Sequence, residues 1–247
     1  MHPAAFRTDA GVPVTAVTAE EMRAVDRVAV ESVGLDLPRM MEHAGRGLAE
    51  AVLAVRGDAA VTVLAGNGGN GGGGLACARH LANRGVPVRV ALDREADAMD
   101  GVTADQLRIL EATDVPVTDD AGGGPGGPLD VDGVVVDALI GYGLSGAPRG
   151  PAAKLIEAAA DATGPTVSLD VPSGVNAATG ETPGAAVAPD LTATLALPKT
   201  GLAAVGGDLR LVDLSIPSTV YDRLDIEYDS PFGEEFAVPL SRSGETR

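Results

Sequence analysis

The sequence predicts an α/β protein whose mostly parallel sheet carries helices on both faces. Two observations indicate this class: short apolar runs rich in valine recur along the chain, and segments with a helical spacing of apolar residues alternate with them. The 247 residues are 45% hydrophobic, which suffices for the core of one domain. We therefore predict a single domain over residues 1–247, with a core at about 18–215 and a polar, mobile tail from about 234.

The helices are predicted from capping residues and apolar spacing. Thr18 and Glu21 form a capping box at the start of the first helix, and Gly34 ends that helix. A second helix begins after Pro38, and a third follows the glycine-rich segment 66–74. The predicted helices lie at about 18–32, from 38 onward, and at 74–82, 102–112 and 152–160.

The strands are predicted from the apolar runs. They lie at 61–65, 86–92, 115–117, 134–136, 166–169, 191–196 and 209–213, and a Gly/Pro-rich surface loop is predicted at 119–132. Binding sites in parallel sheets lie at the carboxyl ends of the strands. The glycine-rich segment, Asp137 and Asp170 each lie at such an end, so we expect them to line one pocket.

The composition excludes several classes of partner and site. With 18 basic and 35 acidic residues, the net charge of −17 disfavours binding to nucleic acid or an anionic membrane. The single cysteine excludes a disulfide within the chain and a cysteine-based zinc site. Because no apolar run is long enough to span a membrane and no signal peptide is evident, we expect a cytoplasmic protein. The acidic, lysine-poor composition favours a salt-adapted, halophilic protein, with a high-GC genome as the alternative.

The glycine-rich segment 66–74 is the first candidate binding site. It lies between a buried strand and a helix, where close backbone approach and free N–H groups can hold an anion. Its first six residues fit a dinucleotide-binding pattern, and Asp93, 22 residues after Gly71, lies where a ribose-binding acid is expected. The alternative is a flexible connector.

Two aspartates at strand ends are the other candidates. Asp137 precedes glycine-spaced backbone and can hold a cation or ligand hydroxyls, whereas Asp170 can act as a general acid or base if burial tunes its pKa. Ser173 adds an oxygen ligand suited to a hard cation. The alternative for both aspartates is hydrogen bonding within the following turn.

Taken together, these motifs resemble the NAD(P)H-hydrate epimerase family, also called the YjeF N-terminal domain. The matching segments lie in family order at 41–45, 66–81, 137–151, 170–174 and 196–201, within about 18–215. The resemblance implies a three-layer α/β/α Rossmann-like sandwich. It also implies interconversion of the R and S forms of hydrated NADH and NADPH (NADHX and NADPHX), a homodimer, and coupling to a separate dehydratase that repairs the S form.

The resemblance also implies site residues. One potassium ion per subunit is expected at Asn70, Asp137 and Ser173, and Asp170 is the proposed catalytic acid or base. The residues expected to contact the hydrated nucleotide are Gly69, Asn70, Gly71, Gly72, Gly73, Gly141, Tyr142, Gly143, Leu144, Ser145, Gly146, Ala147 and Asp170.

The chain departs from the family pattern at two positions. Where the family reads Asn-Asn-Gly-Gly-Asp-Gly, Gly69 replaces the first Asn and Gly73 replaces the Asp. We expect this to remove an amide and a carboxylate that face the substrate, at a cost of roughly 1.5–3 kcal/mol for a charged hydrogen bond. A nucleotide-binding or interaction protein without catalysis, and an NAD-dependent oxidoreductase that uses Asp93, are therefore kept as alternatives.

Overall fold

The computed structural model describes residues 5–119 and 131–243. Its helices are α1 (Ala19–Arg27), α2 (Leu37–Val55), α3 (Gly69–Ala82), α4 (Gly101–Leu110), α5 (Gly150–Ala160) and α6 (Ser218–Asp222). Its strands are β1 (Phe6–Thr8), β2 (Pro13–Val14), β3 (Val61–Ala65), β4 (Val88–Leu92), β5 (Val117–Thr118), β6 (Val134–Ala138), β7 (Thr166–Leu169), β8 (Leu191–Leu195), β9 (Asp208–Val212) and β10 (Ala237–Arg242). The predicted loop at 119–132 lies mostly outside the described residues.

The strands of this part of the chain form one sheet in the order β2-β1-β10-β9-β8-β7-β6-β3-β4-β5. From β9 to β5 every neighbouring pair is parallel, with Val61 opposite both Val88 and Val134. At the other edge β10, β1 and β2 pair antiparallel. The mostly parallel sheet predicted from the sequence is confirmed.

Alternate residues of the central strands face two different layers of helices. Val63 packs with residues of α2, α3 and α4, whereas its neighbour Leu64 packs with α5 through Leu155 and Ile156. Because strand side chains alternate between faces, a continuously apolar strand needs a helix layer on each side. This gives the three-layer α/β/α sandwich.

The first helix forms as its sequence predicts. The Thr18 hydroxyl accepts a hydrogen bond from the Glu21 amide, and the Glu21 carboxylate accepts one from the Thr18 amide, so both parts of the capping box are made. The helix continues through a π-helical turn at Val28–Val33 and ends at Gly34, whose φ of 83° is left-handed.

The glycine-rich segment differs from its prediction. The sequence predicts a loop as far as Gly74, but α3 already begins at Gly69. Helix propensity is lowest for glycine apart from proline, yet tertiary packing overrides it here. A Cβ on Gly72 would lie 2.6 Å from the Met41 sulfur, and one on Gly74 would lie 2.5 Å from the Ala138 Cβ. Glycine therefore lets α3 lie directly against α2 and the sheet.

The prediction of a polar, mobile C-terminal tail from about residue 234 is wrong over residues 237–242, because these residues form β10. This strand lies between β1 and β9, and Leu240 is paired with both Thr8 and Leu209. The core also extends beyond the predicted range of 18–215, since Phe6 and Val238 are buried in it. No helix within residues 5–119 and 131–243 is long and apolar enough to cross a membrane.

Candidate active site

A cavity of about 390 Å³ opens at the carboxyl edge of the sheet. Its ionisable and polar wall comes from separate parts of the chain and includes Asp26 on α1, Asn70 in the first turn of α3, Tyr142 after β6, Asp170 after β7 and Lys199 after β8, with Asn67, Asp100 and Thr103 beside them. Methionine and leucine side chains line the remainder, among them Met22, Leu37, Met40, Met41 and Leu214. A partly apolar cavity with a few convergent polar groups is typical of a small-molecule site.

Asp170 forms a buried ion pair with Lys199. The two side chains are 2% and 1% exposed, and the ammonium also donates to the carbonyl oxygens of Leu195 (3.0 Å) and Leu197 (3.1 Å). Asp170 has a left-handed φ of 65°, and its amide donates to the Ala193 oxygen at 2.8 Å. Left-handed backbone is rare for residues other than glycine and concentrates at functional sites. The sequence indicated Asp170 but not its partner.

Asp26 and Tyr142 form a second polar pair on the cavity wall. The Tyr142 hydroxyl donates to the Asp26 carboxylate. Burial raises the pKa of Asp26, although the Tyr142 hydrogen bond opposes the shift, and burial raises the pKa of Tyr142 as well. The Lys199 ammonium lies 5.6 Å from the centre of the Tyr142 ring, so the two pairs are neighbours. The sequence implied Tyr142 only as a substrate contact and gave no indication of Asp26.

Asp137 is completely buried below the cavity. Its carboxylate accepts hydrogen bonds from the Ser168 hydroxyl and the Ser173 amide, each at 2.8 Å, and from the Ser173 hydroxyl. Burial raises the pKa of Asp137, and these hydrogen bonds oppose the shift. All of these donors are neutral groups. The Ser173 oxygen in turn accepts from the Ile140 amide at 2.8 Å, so Ser173 joins the two loops.

Asn70 lies against the loop that follows β6. Its amide donates to the Leu169 oxygen at 2.8 Å. A Cβ on Gly141 would lie 2.4 Å from the Asn70 Oδ1, so any larger residue at position 141 would displace the Asn70 side chain. The structure therefore brings Asp137 and Ser173 into direct contact and places Asn70 against the same loop. Among the described residues, no group of three His, Cys, Asp or Glu side chains could hold a metal ion.

The glycines of α3 divide into two sets. Gly69 lines the cavity with Asn70, and a side chain at position 69 would meet nothing within 4 Å. Gly71, Gly72 and Gly73 are buried and do not line it, and a Cβ on Gly73 would lie 2.7 Å from the Leu169 Cδ2. A Cβ at position 73 would thus point toward the core, which does not support the expectation that a carboxylate there faces the substrate.

The loop after β6 lines a second cleft, also of about 390 Å³, which adjoins the cavity through Asn67 and Gly68. Four of the predicted contact residues lie there, namely Gly143, Leu144, Ser145 and Ala147. Gly146 is exposed on the same loop. Arg94 and Arg149 add positive charge to the cleft, and Asp93 is ion-paired with Arg94 at 2.9 Å.

The chain resembles proteins of one group throughout. Residues 38–201 match the family model for YjeF-related protein N-terminus. An NAD(P)H-hydrate epimerase from Dehalogenimonas lykanthroporepellens is 45% identical over 248 residues, covering 96% of this chain and 98% of that protein. A bifunctional NAD(P)H-hydrate repair enzyme from Hyperthermus butylicus is 40% identical over 209 residues, which are 82% of this chain but 38% of that enzyme. The crystal structure of yeast ynu0 has a TM-score of 0.73 and 25% identity, covering 92% of this chain and 100% of that one.

Proposed function

The chain belongs to the family of YjeF-related protein N-termini, and from that premise we propose that it is an NAD(P)H-hydrate epimerase. Such an isomerase inverts the ring carbon that carries the added water in damaged NADH or NADPH. The observation that carries the proposal is the buried Asp170–Lys199 pair, which holds a carboxylate at the wall of a largely apolar cavity at the carboxyl edge of the sheet. The relative with 45% identity, which matches almost the whole chain, supports the same activity.

Inversion requires proton transfer at the hydroxyl of the hydrated ring. The hydroxyl needs a proton as it leaves, and the water that returns on the other face must lose one. Asp170 can deliver or accept that proton, and Lys199 fixes the position of its carboxylate. Met22, Met40 and Met41 line the apolar wall that would receive the ring and limit the access of bulk water.

The oxygen ligands below the cavity fit a potassium ion. Asp137 is a buried carboxylate that receives hydrogen bonds from neutral donors, so a monovalent cation would balance its charge. Asn70 and Ser173 would complete a set of hard oxygen ligands with Asp137, one ion per subunit. When bound, the ion supplies a fixed positive charge beneath the substrate.

The second cleft suits the other half of the dinucleotide. Arg149 lines it, and arginine binds phosphate oxygens well, whereas the second arginine of the cleft, Arg94, is held by Asp93. The loop 141–147 would then contact both halves of the substrate. A homodimer, a separate dehydratase that consumes the S form, and a cytoplasmic location complete the proposal; the bifunctional relative named as a repair enzyme supports the link to a second activity.

Neither alternative function gains support from the site. The non-catalytic reading depended on the missing carboxylate at position 73, but a side chain there would face Leu169 in the core. The oxidoreductase reading depended on Asp93 as a ribose ligand, but Arg94 holds that carboxylate through two hydrogen bonds. The relatives are named for hydrate epimerisation and repair.

The test is an epimerisation assay in concentrated KCl. An S-specific dehydratase first consumes the S form of NADHX, the protein is then added, and loss of the R form is followed by chromatography against the spontaneous rate. We expect rapid loss with the wild type and a decrease of about 10²–10⁴-fold with Asp170→Asn. Asp58→Asn, which changes an exposed aspartate between α2 and β3, is the matched control and should keep full activity. Loss of the R form at the spontaneous rate with wild-type protein would overturn the proposal.

A further inference from the structure

We propose that Tyr142, with Asp26 behind it as the proton store, is a second proton-transfer group of this site and serves the ring face opposite to Asp170. The inference rests on the proposed epimerase function. Inversion at one carbon moves a hydroxyl from one face of the ring to the other. The departing hydroxyl needs a proton on one face and the incoming water must lose one on the other, so two proton-transfer groups, one for each face, can serve the reaction.

The geometry places both pairs on the wall of the same cavity. Asp26 projects from α1, Tyr142 follows β6, and both line the cavity with Asp170 and Lys199. The two carboxylates thus come from different elements, 144 residues apart in the sequence, rather than from one turn. The Tyr142 hydroxyl bridges toward Asp26, while Lys199 lies 5.6 Å from the Tyr142 ring and is bound to Asp170.

A purely structural role explains this pair poorly. Asp26 is half-buried on a helix whose buried neighbours are the apolar Met22 and Val25. Among the interactions of Asp26, the direct hydrogen bond comes from the neutral Tyr142 hydroxyl, whereas the cation Lys199 is bound to Asp170. A half-buried carboxylate whose direct hydrogen bond comes from a neutral group, and which shares Lys199 with a second carboxylate, is costly, and such groups concentrate at functional sites.

Electrostatics differentiates the two carboxylates. Lys199 holds Asp170 in an ion pair, whereas burial raises the pKa of Asp26 and so favours its protonated form. The charged and titratable groups that face the Asp26–Tyr142 pair are Arg23 on α1, Lys199, Asp170, and Tyr221 on α6. Two titratable groups with such different environments suit opposite roles as acid and base.

The proposed step is balanced as follows. On one face, Tyr142 gives its proton to the hydroxyl and takes the Asp26 proton in turn, so Tyr142 stays neutral, as its raised pKa favours. The carbon–oxygen bond breaks with its electron pair going to oxygen, and the ring nitrogen lone pair forms a carbon–nitrogen double bond. Water then attacks the other face, and its proton passes to the Asp170 carboxylate that Lys199 holds. The reverse reaction starts from protonated Asp170, and no oxidant or reductant is needed.

Exchange of the hydroxyl oxygen with labelled water separates the two faces. Each pure NADHX epimer is incubated with full-length protein in water labelled with oxygen-18, and inversion and label uptake are measured by chromatography and mass spectrometry. With Asp26→Asn we expect inversion to fall about 10²–10⁴-fold while one epimer still exchanges its oxygen with retention. With Asp170→Asn the other epimer should be the one that exchanges. Tyr142→Phe should reproduce the pattern of Asp26→Asn.

Nucleotide binding and a control variant keep the result interpretable. Affinity for the hydrated nucleotide should change less than about threefold in the variants, because proton transfer and not binding is removed. If Asp26→Asn does not fold, Tyr142→Phe carries the same test. Asp58→Asn should match the wild type in inversion and exchange.

Three results would overturn the inference alone while wild-type inversion persists: unchanged inversion in Asp26→Asn and Tyr142→Phe, exchange of the same epimer in the Asp26 and Asp170 variants, or loss of exchange for both epimers in Asp26→Asn. A wild type that inverts neither epimer would instead overturn the proposed function itself.

Discussion

Replacing Lys199 with methionine tests whether the buried ion pair holds the site together. Methionine keeps most of the apolar stem of lysine but removes the ammonium, which leaves Asp170 buried at 2% exposure without its cation. Removing one partner of a buried pair typically costs about 3–5 kcal/mol. The Leu195 oxygen still accepts from the Leu197 amide at 2.6 Å, so the unpaired carboxylate dominates the loss.

The free energy of unfolding is measured in urea at neutral pH, with thermal scanning alongside. A loss of about 3–5 kcal/mol corresponds to a decrease in Tm of roughly 6–20 °C for a chain of this size. The loss should be the same at about 0.1 M and about 1 M KCl, because salt screens buried charges weakly. The double variant Lys199→Met/Asp170→Asn, which removes both charges, should recover at least about 2 kcal/mol.

The exposed pair between Arg108 and Asp105 is the matched control. Their side chains are 74% and 60% exposed, so Arg108→Met should cost no more than about 1 kcal/mol. A cost for Lys199→Met as small as that of the control, or a double variant no more stable than Lys199→Met, would refute the reasoning.

Three further predictions concern the glycines, the ion and pH. A Cβ on Gly71 would lie 1.5 Å from the Gly66 oxygen, so Gly71→Ala should destabilise by about 3 kcal/mol or more, whereas Gly69→Ala, with open space around it, should change urea stability by no more than about 1 kcal/mol. KCl should raise Tm more than tetramethylammonium chloride of equal ionic strength, because a bound ion adds about 2.7 kcal/mol to the free energy of unfolding when its concentration is 100 times its Kd. An equal response to potassium in Asp137→Asn would contradict the proposed ion site. Burial raises the pKa of Asp26 above 3.8, so the folded state binds this proton more tightly than the unfolded state does, and the carboxyl lowers stability as pH rises from about 4. Urea unfolding at several pH values should therefore show Asp26→Asn gaining stability relative to the wild type with increasing pH. A constant difference between the two proteins would count against the raised pKa.

The parallel core was predictable because its signals are local. Valine runs such as 134–136 identify strands without any knowledge of their neighbours, and the Thr18 capping box identifies a helix start from four consecutive residues. The early start of α3 at Gly69 was not predictable in this way, because it depends on contacts with Met41 and Ala138 from elsewhere in the chain. Strand β10 contains Pro239 and polar residues, and its pairing with β1 and β9 is what defines it.

The site residues likewise divide into those that local sequence predicts and those that depend on contacts between distant parts of the chain. Asp137 and Asp170 were identifiable because each lies at the end of a recognisable strand. The pair of Asp26 and Tyr142 joins residues 116 positions apart, and no spacing rule connects them. Lys199 stood in a recognised motif, but its role depends on the chain folding back so that the ammonium reaches Asp170. The direction of a Cβ at position 73 was not predictable, because it depends on where α3 begins.

The pairing of β1 with β10 determines how late in translation the antiparallel edge of the sheet can be completed. Phe6 is opposite Arg242, so β1 cannot complete its pairing until a segment more than 200 residues further along the chain has been made. At about 5–20 residues per second, translation of the intervening chain takes roughly 10–50 s. The edge of β9 that β10 will cover is open for only part of that time, roughly 1–5 s for the residues between the two strands, and then offers free N–H and C=O groups to any neighbouring nascent chain. Crowding on the ribosome is therefore most hazardous for this protein at that edge, and completion of β10 ends the exposure.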